Sequence, residues 1–402
     1  MISSLTIWNV VILAAMLQGV LLTLFLLLNK KGNRKANIFL ALLVLLYAID
    51  IGLETLYASP QIFDFPHLIG LNDPLFFLYG PLLYLYAYFL SSPRAGSDKK
   101  WLLHFLPFLI IVIFYLPTLF LQSAEFKLSS EGRLPAVLHS FMTADVRGRV
   151  ELISGFHELI YIVLTLFLLS KHAQAIKDSF SAIDRINLKW LKNLTLATGA
   201  IVTVDLLLYF FINAELLAYG NAVTLILFLC ATLIYAIGYM GLMQPLIFSP
   251  ASDNIPVTPV LPDNEESGNV REKYYKSTLT DQQAEDSLAK LLELMETQQL
   301  YLNGELKLSD VAEALGISTN NLSQIINDKL NKNFYDFVNA YRVEAARKLL
   351  ADPEKDNLTL LAIAFDAGFN SKSTFNSVFK KHCQLTPSEY KKSIAKEMYP
   401  IG

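Results

Sequence analysis

Seven long apolar runs in the first 248 residues constrain the fold of this chain more than any other feature. Each approaches or reaches the length of about 20 residues that a helix needs to cross a membrane. Inside a bilayer the backbone must satisfy its own hydrogen bonds, and a helix does so within one segment. We therefore predict an all-α chain that begins with a polytopic membrane bundle of about seven helices. The runs lie near 6–28, 36–57, 74–92, 101–122, 149–170, 193–214 and 221–245.

The rest of the chain has a different composition. Of the 402 residues 53% are hydrophobic and 17% are charged, whereas soluble domains carry about 25% charged residues. The shortage of charge is confined to the first part, so the chain divides into a membrane part and a soluble part. The predicted divisions are a transmembrane region over 1–248, a proline-containing linker over 249–280, a connecting helix over 281–300 and a C-terminal domain over 301–402.

Net charge and cysteine content narrow the choice of cofactors and partners. The net charge is −3, which by itself does not identify a nucleic-acid-binding protein. The two cysteines, Cys230 and Cys383, fall in different environments and support neither a disulfide framework nor a zinc site. We expect no metal and no cofactor.

Lysine and arginine concentrate in alternate loops between the apolar runs. Because basic loops favour the cytoplasmic side, the N-terminus is expected outside and, after seven spans, the C-terminus inside. The chain is thus predicted to be a multi-pass protein of the cell (inner) membrane, in contact with lipid. The basic loops contain Lys30, Lys31, Arg34 and Lys35, then Arg94, Lys99 and Lys100, then Lys171, Lys177, Arg185, Lys189 and Lys192.

A few ionisable residues interrupt the apolar runs. Such residues are costly in lipid and usually face a cavity or a partner helix. They predict a polar ligand or ion pocket open to the outside, which would sense an unknown extracytoplasmic or lipidic ligand; the alternative is simple helix–helix contact. The candidate sensor residues are Asp50, Glu54, His157, Glu158 and Asp205.

Motifs of catalysis are missing from the sequence. His157 and Glu158 begin the H-E-x-x-H zinc pattern, but position 161 is Tyr, so the second ligand is absent. No G-x-x-x-x-G-K-[ST] loop is present. We predict no catalytic residue and no enzyme.

Two helix–turn–helix patterns occupy Leu306 to Lys392. Each has an Ala-x-x-x-Gly step, ending at Gly316 and Gly368, followed by an apolar residue and a short polar helix. Glycine is the residue that adopts a left-handed turn at little cost. Amide and hydroxyl side chains suit base edges in a major groove, and the second helix adds lysines suited to phosphates. The predicted DNA-binding residues are Ser318, Thr319, Asn320, Asn321, Gln324, Asn327, Ser371, Lys372, Ser373, Asn376, Lys380 and Lys381.

Two further helices accompany these patterns. A helix over Phe334 to Leu350 is expected to hold the two recognition helices at a fixed separation, suited to adjacent major grooves. A helix from Asp281, with Thr280 as its N-cap, has one apolar face. This face would pack on the DNA-binding domain or pair with its copy in a homodimer.

Leu306 to Lys392 resembles the DNA-binding domain of AraC/XylS-type transcription regulators. The resemblance rests on LSDVAEALGIS, FVNAYRVEAARKLL, IAFDAGFNSKSTFNSVFKK and LTPSEYKK. It implies a monomeric two-lobed protein that binds direct half-sites in double-stranded DNA, regulates transcription and works with RNA polymerase. Together with the apolar runs, this predicts a membrane-embedded one-component transcription regulator controlled by a transmembrane sensor region. The alternatives are a transporter or membrane enzyme with an appended DNA-binding domain, and a membrane part that only anchors the chain. Gln384 stands where the family commonly has Gly, which puts the local geometry in question. Arg342 and Arg347 match basic positions of the family, with DNA contact or pairing with Asp310 or Glu344 as their alternative roles.

Overall fold

Helices make up the regular structure of the protein. The computed structural model describes residues 7–29, 32–57, 62, 64–65, 68, 70–91, 99–121, 144–217, 219–243 and 280–398. Within these residues the elements are α-helices and short 3-10 helices, without a β-strand, which confirms the predicted all-α class. The chain divides into two compact units, one formed by Met1–Lys171 and Leu188–Val257 and the other by His172–Asn187 and Thr258–Gly402.

The first unit contains the apolar helices, which are α1 (Ile7–Leu28), α2 (Arg34–Tyr57), α3 (Phe76–Ser91), α4 (Leu106–Leu121), α5 (Ala144–Ser179), α6 (Lys189–Asn213) and α7 (Tyr219–Met243). Helix α2 packs against both α1 and α3, and α7 packs against both α1 and α6. The 3-10 helices Asp73–Leu75 and Lys99–Phe105 precede α3 and α4. The last turns of α5, from His172 onward, belong to the second unit.

Six helical segments among the described residues are long and apolar enough to cross a membrane. The run predicted as a single span over 101–122 differs, because its α-helix, α4, begins at Leu106 and has 16 residues. Pro107 accounts for the late start, because proline lacks a backbone N–H and is favoured in the first turn of an α-helix, where that N–H would have no partner. The predicted topology places the two ends of the chain on opposite sides of the membrane and so requires an odd number of crossings. With six segments of sufficient length, that prediction depends on α4 as a seventh crossing.

Apolar side chains cover the outside of the first unit as well as its interior. Tyr47 and Tyr79 stack inside it with their ring centroids 4.7 Å apart. On the outside, Leu17, Ile113 and Val163 are 59%, 70% and 65% exposed. Helices that are apolar on all sides are typical of membrane spans or of the core of a large protein. Here the apolar side chains are exposed, so a lipid environment is the one that suits them.

The second unit contains the helices α8 (Asp281–Thr297), α9 (Leu308–Leu315), α10 (Thr319–Leu330), α11 (Phe334–Ala351), α12 (Leu360–Asp366), α13 (Lys372–Cys383) and α14 (Pro387–Met398). It has two apolar cores. Helix α11 joins them, because Phe334 and Val338 pack in one core and Ala346 and Leu350 in the other. We call α8 to α10 with the first half of α11 the first lobe, and α12 to α14 with the second half of α11 the second lobe.

The apolar face of α8 packs inside the second unit. Leu291 and Met295 are fully buried in the core of the first lobe. Thr280 caps the helix as predicted, with its side chain accepting a hydrogen bond from the backbone N–H of Gln283. Of the two arrangements expected for this face, the structure has packing on the C-terminal domain. The predicted linker, 249–280, lies outside the described residues except for Thr280.

Candidate nucleic-acid interface

A helix–turn–helix motif in the first lobe comprises α9 and α10. Gly316 ends α9 in the left-handed region, with φ at 68°. Ser318 then begins α10, because its Oγ accepts a hydrogen bond from the backbone N–H of Asn321 at 3.2 Å. Leu322 and Ile326 are buried in the lobe. The buried side fixes which face of α10 points outward.

The outward face of α10 is polar and lacks lysine or arginine until its last turn. Asn320 and Asn327 are exposed. Lys329, in the last turn, has its ammonium group 3.7 Å from Asp281 and 3.6 Å from Glu285 of α8. This lobe therefore offers amides and hydroxyls to a groove, while its nearest lysine is engaged by acids. Half-buried positions on the same helix are occupied by Thr319, Asn321 and Gln324.

A second helix–turn–helix motif comprises α12 and α13. Gly368 lies between the helices in the left-handed region, with φ at 88°. A Cβ atom at this position would collide with the carbonyl oxygen of Tyr301, so the close approach also requires glycine. Ser371 caps α13 by accepting a hydrogen bond from the backbone N–H of Thr374 at 3.1 Å. Phe375 and neighbouring apolar residues hold the inner face.

The outward face of α13 is more basic than that of α10. Lys372, Ser373 and Lys380 are exposed and Asn376 is half-buried. Lys381 differs from the others because its ammonium group pairs with Asp336 at 2.8 Å. Lysines placed along a helix of this kind can neutralise phosphates, so the expectation of phosphate contact rests mainly on this lobe.

Helix α11 sets the separation of the two lobes. Its 18 residues give a length of about 27 Å at 1.5 Å per residue, comparable to the distance of about 34 Å between successive major grooves on one face of DNA. One continuous helix contributes to both cores, so the two recognition helices are held on a single rigid connector.

Arg342 lies at the middle of α11 and is 1% exposed. Its guanidinium donates only to neutral oxygens, and burial lowers the pKa of Arg342 to about 10. It therefore stays protonated at neutral pH. Its role is to join several parts of the second unit through hydrogen bonds, whereas DNA contact or pairing with Asp310 or Glu344 was expected. Its acceptors are the carbonyl oxygens of Tyr301, Asn303 and Ser181, the Oγ of Ser181 and the Oδ1 of Asn339, at 2.8 to 3.3 Å.

Arg347, one turn and a residue later, has the expected structural role. Its Nη1 donates to the Glu344 carboxylate at 2.8 Å and its Nε donates to the Tyr390 hydroxyl at 3.1 Å. Both partners lie within the second lobe. The two arginines therefore have different roles, Arg342 in the interior and Arg347 at the surface.

Two residues from a segment far upstream complete the second unit, and sequence reasoning missed both. Ser181 accepts hydrogen bonds from Arg342 and is fully buried. Asp184 accepts hydrogen bonds from Ser371 at 2.8 Å and from Thr374. The available signal was Arg342 itself, which interrupts an apolar i, i+4 stripe on α11 and needs buried acceptors.

The first unit has a separate polar cluster around Asn72. The Asn72 side-chain amide donates to Asp50 at 2.9 Å and to Glu54 at 3.0 Å. The Tyr57 hydroxyl donates to the Asn72 side-chain oxygen at 3.2 Å. The structure thus brings together two of the predicted sensor residues, and it adds Asn72, which the sequence did not indicate.

The other predicted sensor residues lie on α5 and α6. Glu158 is buried, and its carboxyl group is close enough to those of Asp50 and Asp205 for charges on them to interact. His157 contacts the rings of Phe77 and Tyr161, with centroid separations of 5.3 and 5.0 Å. These positions are compatible with a shared polar site. Their role in sensing stays a prediction.

Comparison with known proteins identifies the C-terminal part of the chain. A family model described as "Helix-turn-helix domain" matches residues 311–393. This range contains both recognition helices, the connector between them and Arg342. No solved structure matches the chain.

Several curated proteins share this similarity. The probable transcription factor PqrA of Proteus vulgaris is 34% identical over 110 residues, which are 27% of this chain and 87% of that protein. The melibiose operon regulatory protein of Escherichia coli K12 is 33% identical over 87 residues, which are 22% of this chain and 28% of that protein. An uncharacterized HTH-type transcriptional regulator of Staphylococcus aureus strain COL is 31% identical over 93 residues, 23% of this chain and 12% of that protein. The chain thus spans most of the first relative and under a third of the other two.

Proposed function

Because this chain belongs to the AraC family of helix–turn–helix transcription regulators, we propose that it is a membrane-embedded, one-component regulator. Its two recognition helices bind specific DNA, and its transmembrane region controls that binding. RNA polymerase is the partner through which such a regulator acts. The probable transcription factor PqrA, which the chain covers almost completely, supports the assignment of the C-terminal domain.

One observation carries the proposal. The same chain has two exposed recognition faces on one connecting helix and six apolar helical segments of membrane-spanning length. The first feature suits a site that reads adjacent major grooves. The second would hold the DNA-binding domain at a membrane, so that a signal in the bilayer or outside it could act on DNA binding without a separate messenger.

Full-length protein in lipid nanodiscs provides the direct test. We expect it to enrich particular sequences from a random duplex pool, with an affinity that falls as salt rises. A Lys372→Ala/Lys380→Ala variant should bind more weakly. The matched control is Lys290→Ala/Lys348→Ala, which removes the same charge from exposed sites outside the recognition faces. Absence of binding to any duplex at low salt would refute the function.

The polar cluster of the first unit is the proposed sensor site. The Asn72 amide bridges Asp50 and Glu54 and accepts a hydrogen bond from Tyr57, so it holds two carboxyl groups together where a polar ligand or ion could bind them. The test is a transcriptional reporter in cells carrying Asp50→Asn, Glu158→Gln or Asp205→Asn. A sensor predicts altered reporter output in at least one variant, whereas unchanged output in all three favours a passive anchor.

Membrane topology can be tested independently. We propose an outside N-terminus and a cytoplasmic C-terminus in the cell (inner) membrane, which needs α4 as a crossing. Compartment-specific reporters fused at each end should report opposite sides of the membrane. If both reporters lie on the same side, the number of crossings is even, α4 does not cross the membrane and the proposed arrangement is wrong.

A further inference from the structure

A short segment that links two apolar helices is built into the DNA-binding unit. We call it the 180–187 loop; it follows α5 and precedes α6. Phe180 forms an antiparallel bridge with Lys307, and the Ser181 backbone N–H donates to the Leu306 carbonyl oxygen at 3.2 Å. Ile183 is 7% exposed. The loop is therefore packed against the rest of the second unit, to which it belongs.

Hydrogen bonds within the loop hold its shape. The backbone N–H of Asn187 donates to the Ile183 carbonyl oxygen at 2.9 Å, and the Asn187 side chain donates to the carbonyl oxygens of Ile183 and Asp184. A nitrogen of the His172 ring lies 3.3 Å from the Ile186 carbonyl oxygen, which ties the loop to the end of α5. Asp184 is thus presented at the tip of a preformed turn.

Two contacts fasten the loop to different parts of the DNA-binding unit. The first is buried, where Arg342 donates to the Ser181 carbonyl oxygen at 3.0 Å and to the Ser181 hydroxyl at 2.9 Å. The second is at the surface at Ser371, whose hydroxyl donates to Asp184 at 2.8 Å, and partly buried at Thr374, whose hydroxyl lies 2.5 and 2.6 Å from the two carboxylate oxygens. The first contact positions the loop, and the second contact places a carboxylate on the first turn of α13.

The first turn of α13 is a region that a DNA-bound recognition helix uses. In helix–turn–helix proteins the N-terminal residues of this helix face the groove, and hydroxyl groups there donate to phosphate oxygens. A carboxylate accepts hydrogen bonds from the same hydroxyls and carries the same sign of charge as a phosphate. Asp184 and a DNA phosphate therefore exclude one another at Ser371 and Thr374.

We propose that the 180–187 loop is an intramolecular competitor of DNA, which holds the second recognition helix inactive while Asp184 occupies Ser371 and Thr374. The proposal rests on the proposed function, because it presumes that α13 binds DNA. It specifies how the membrane region would control that binding.

The position of the loop in the sequence supplies the connection to the signal. It joins α5, which carries Glu158, to α6, which carries Asp205. A ligand that changes the relation of these two helices acts directly on the ends of the loop. Release of Asp184 then exposes the α13 hydroxyls, and by linkage DNA binding disfavours the docked loop to the same degree.

The test compares three forms of the full-length protein in nanodiscs: wild type, Asp184→Asn and Asp178→Asn. Asp184→Asn keeps the size of the side chain and removes the charge that competes with phosphate. Asp178→Asn makes the same charge change on α5, where the side chain contacts Gln174 instead of α13. The probe is a random-sequence duplex pool long enough for two half-sites, about 40 base pairs.

We expect Asp184→Asn to bind the pool about five- to tenfold more tightly than wild type, within the usual range of coupling between sites. Asp178→Asn should match wild type. Detectable binding by Asp184→Asn, with none by wild type or Asp178→Asn, would also support competition. Hydrogen exchange at α13 amides checks that the variant is folded.

Two results would overturn the proposal, and they are distinguishable from failure of the function. Equal binding by wild type and Asp184→Asn, or weaker binding by the variant, shows that the loop braces the domain and does not compete, while DNA binding itself stands. No binding by any of the three proteins refutes the proposed function together with the competitor that rests on it.

Discussion

The two lobes of the DNA-binding unit share one design and differ in how their recognition helices are surrounded. Helix α10 has a neutral amide face, and its last-turn Lys329 is engaged by acids of α8. Helix α13 has exposed lysines at both ends, and Asp184 occupies the hydroxyls of its first turn. From this difference we expect the first lobe to contribute mainly base reading and the second mainly phosphate attraction. The proposed control by Asp184 would act on the second lobe.

The supporting elements differ in the same way. The first lobe is completed by α8, its neighbour in sequence, through the buried Leu291 and Met295. The 180–187 loop is distant in sequence and contacts both lobes. Its backbone pairs with Leu306 and Lys307 of the first lobe, and its Asp184 lies 190 positions before its partner Thr374 in the second. The carboxylate of the loop thus reaches α13, which is the recognition helix with the exposed lysines.

The largest expected effect comes from Arg342, which joins the lobes to each other and to the loop. Arg342→Ala leaves the carbonyl oxygens of Tyr301 and Asn303 and the Ser181 side of the contact without their donor. Each buried unsatisfied polar group costs about 1–3 kcal/mol, so we expect a decrease of about 3–5 kcal/mol in the free energy of unfolding. Hydrogen exchange of the full-length protein should rise in both lobes. The control, Arg347→Ala, removes a half-exposed ion pair worth about 0–1 kcal/mol and should affect at most the second lobe.

A second prediction concerns the first lobe alone. Leu291→Ala removes a fully buried side chain of α8 and should cost about 2–5 kcal/mol. Exchange should accelerate in α8, α9 and α10 and stay unchanged in α12 and α13. Leu292→Ala, on the half-buried flank of the same helix, is the matched control with a smaller effect. Equal acceleration in both lobes would show that the lobes unfold as one unit.

Much of this arrangement could be predicted because it is encoded locally. Caps, glycine turns and apolar spacing predict α9 at Leu308–Leu315, where the structure has it. They also predict the connector from Phe334 and the N-cap at Thr359. The left-handed turn at the unusual Gln384 is present, with φ at 61°.

The remaining features depend on contacts that no local pattern contains. In the sequence the 180–187 segment is only part of a basic loop between two apolar runs. Ser181 and Asp184 acquire their roles from residues far along the chain. The short α4 and the role of Asn72 were also missed. The mean hydropathy of a run hardly changes with one proline such as Pro107, so it does not locate the start of α4. Asn72 lies outside the apolar runs, and apolar spacing gives no information about a single polar side chain there.

The third prediction separates the roles of the two recognition faces. Asn320→Ala/Gln324→Ala in the first lobe should change which sequences are selected, since a good bidentate base contact is worth about 1–3 kcal/mol of discrimination. The salt dependence should stay the same. Lys372→Ala/Lys380→Ala in the second lobe should weaken binding to all sequences. For each phosphate that these lysines no longer neutralise, the slope of log affinity against log salt should become shallower by about 0.9. The measurement is duplex selection followed by titration at several salt concentrations.

The smallest expected effect concerns the residues that end the two recognition helices. Helix α10 ends at Asn331 with φ at 51°, and α13 ends at Gln384 with φ at 61°. Asn adopts the left-handed region more readily than Gln, at a difference of up to about 1 kcal/mol. Gln384→Asn should therefore stabilise the second lobe, although it removes the Gln384 side-chain bond to the Lys381 carbonyl oxygen at 3.2 Å. Asn331→Gln should destabilise the first lobe. Hydrogen exchange in the last turns of α10 and α13 should move in opposite directions in the two variants; changes of the same sign would mean that these caps depend on their surroundings more than on backbone preference.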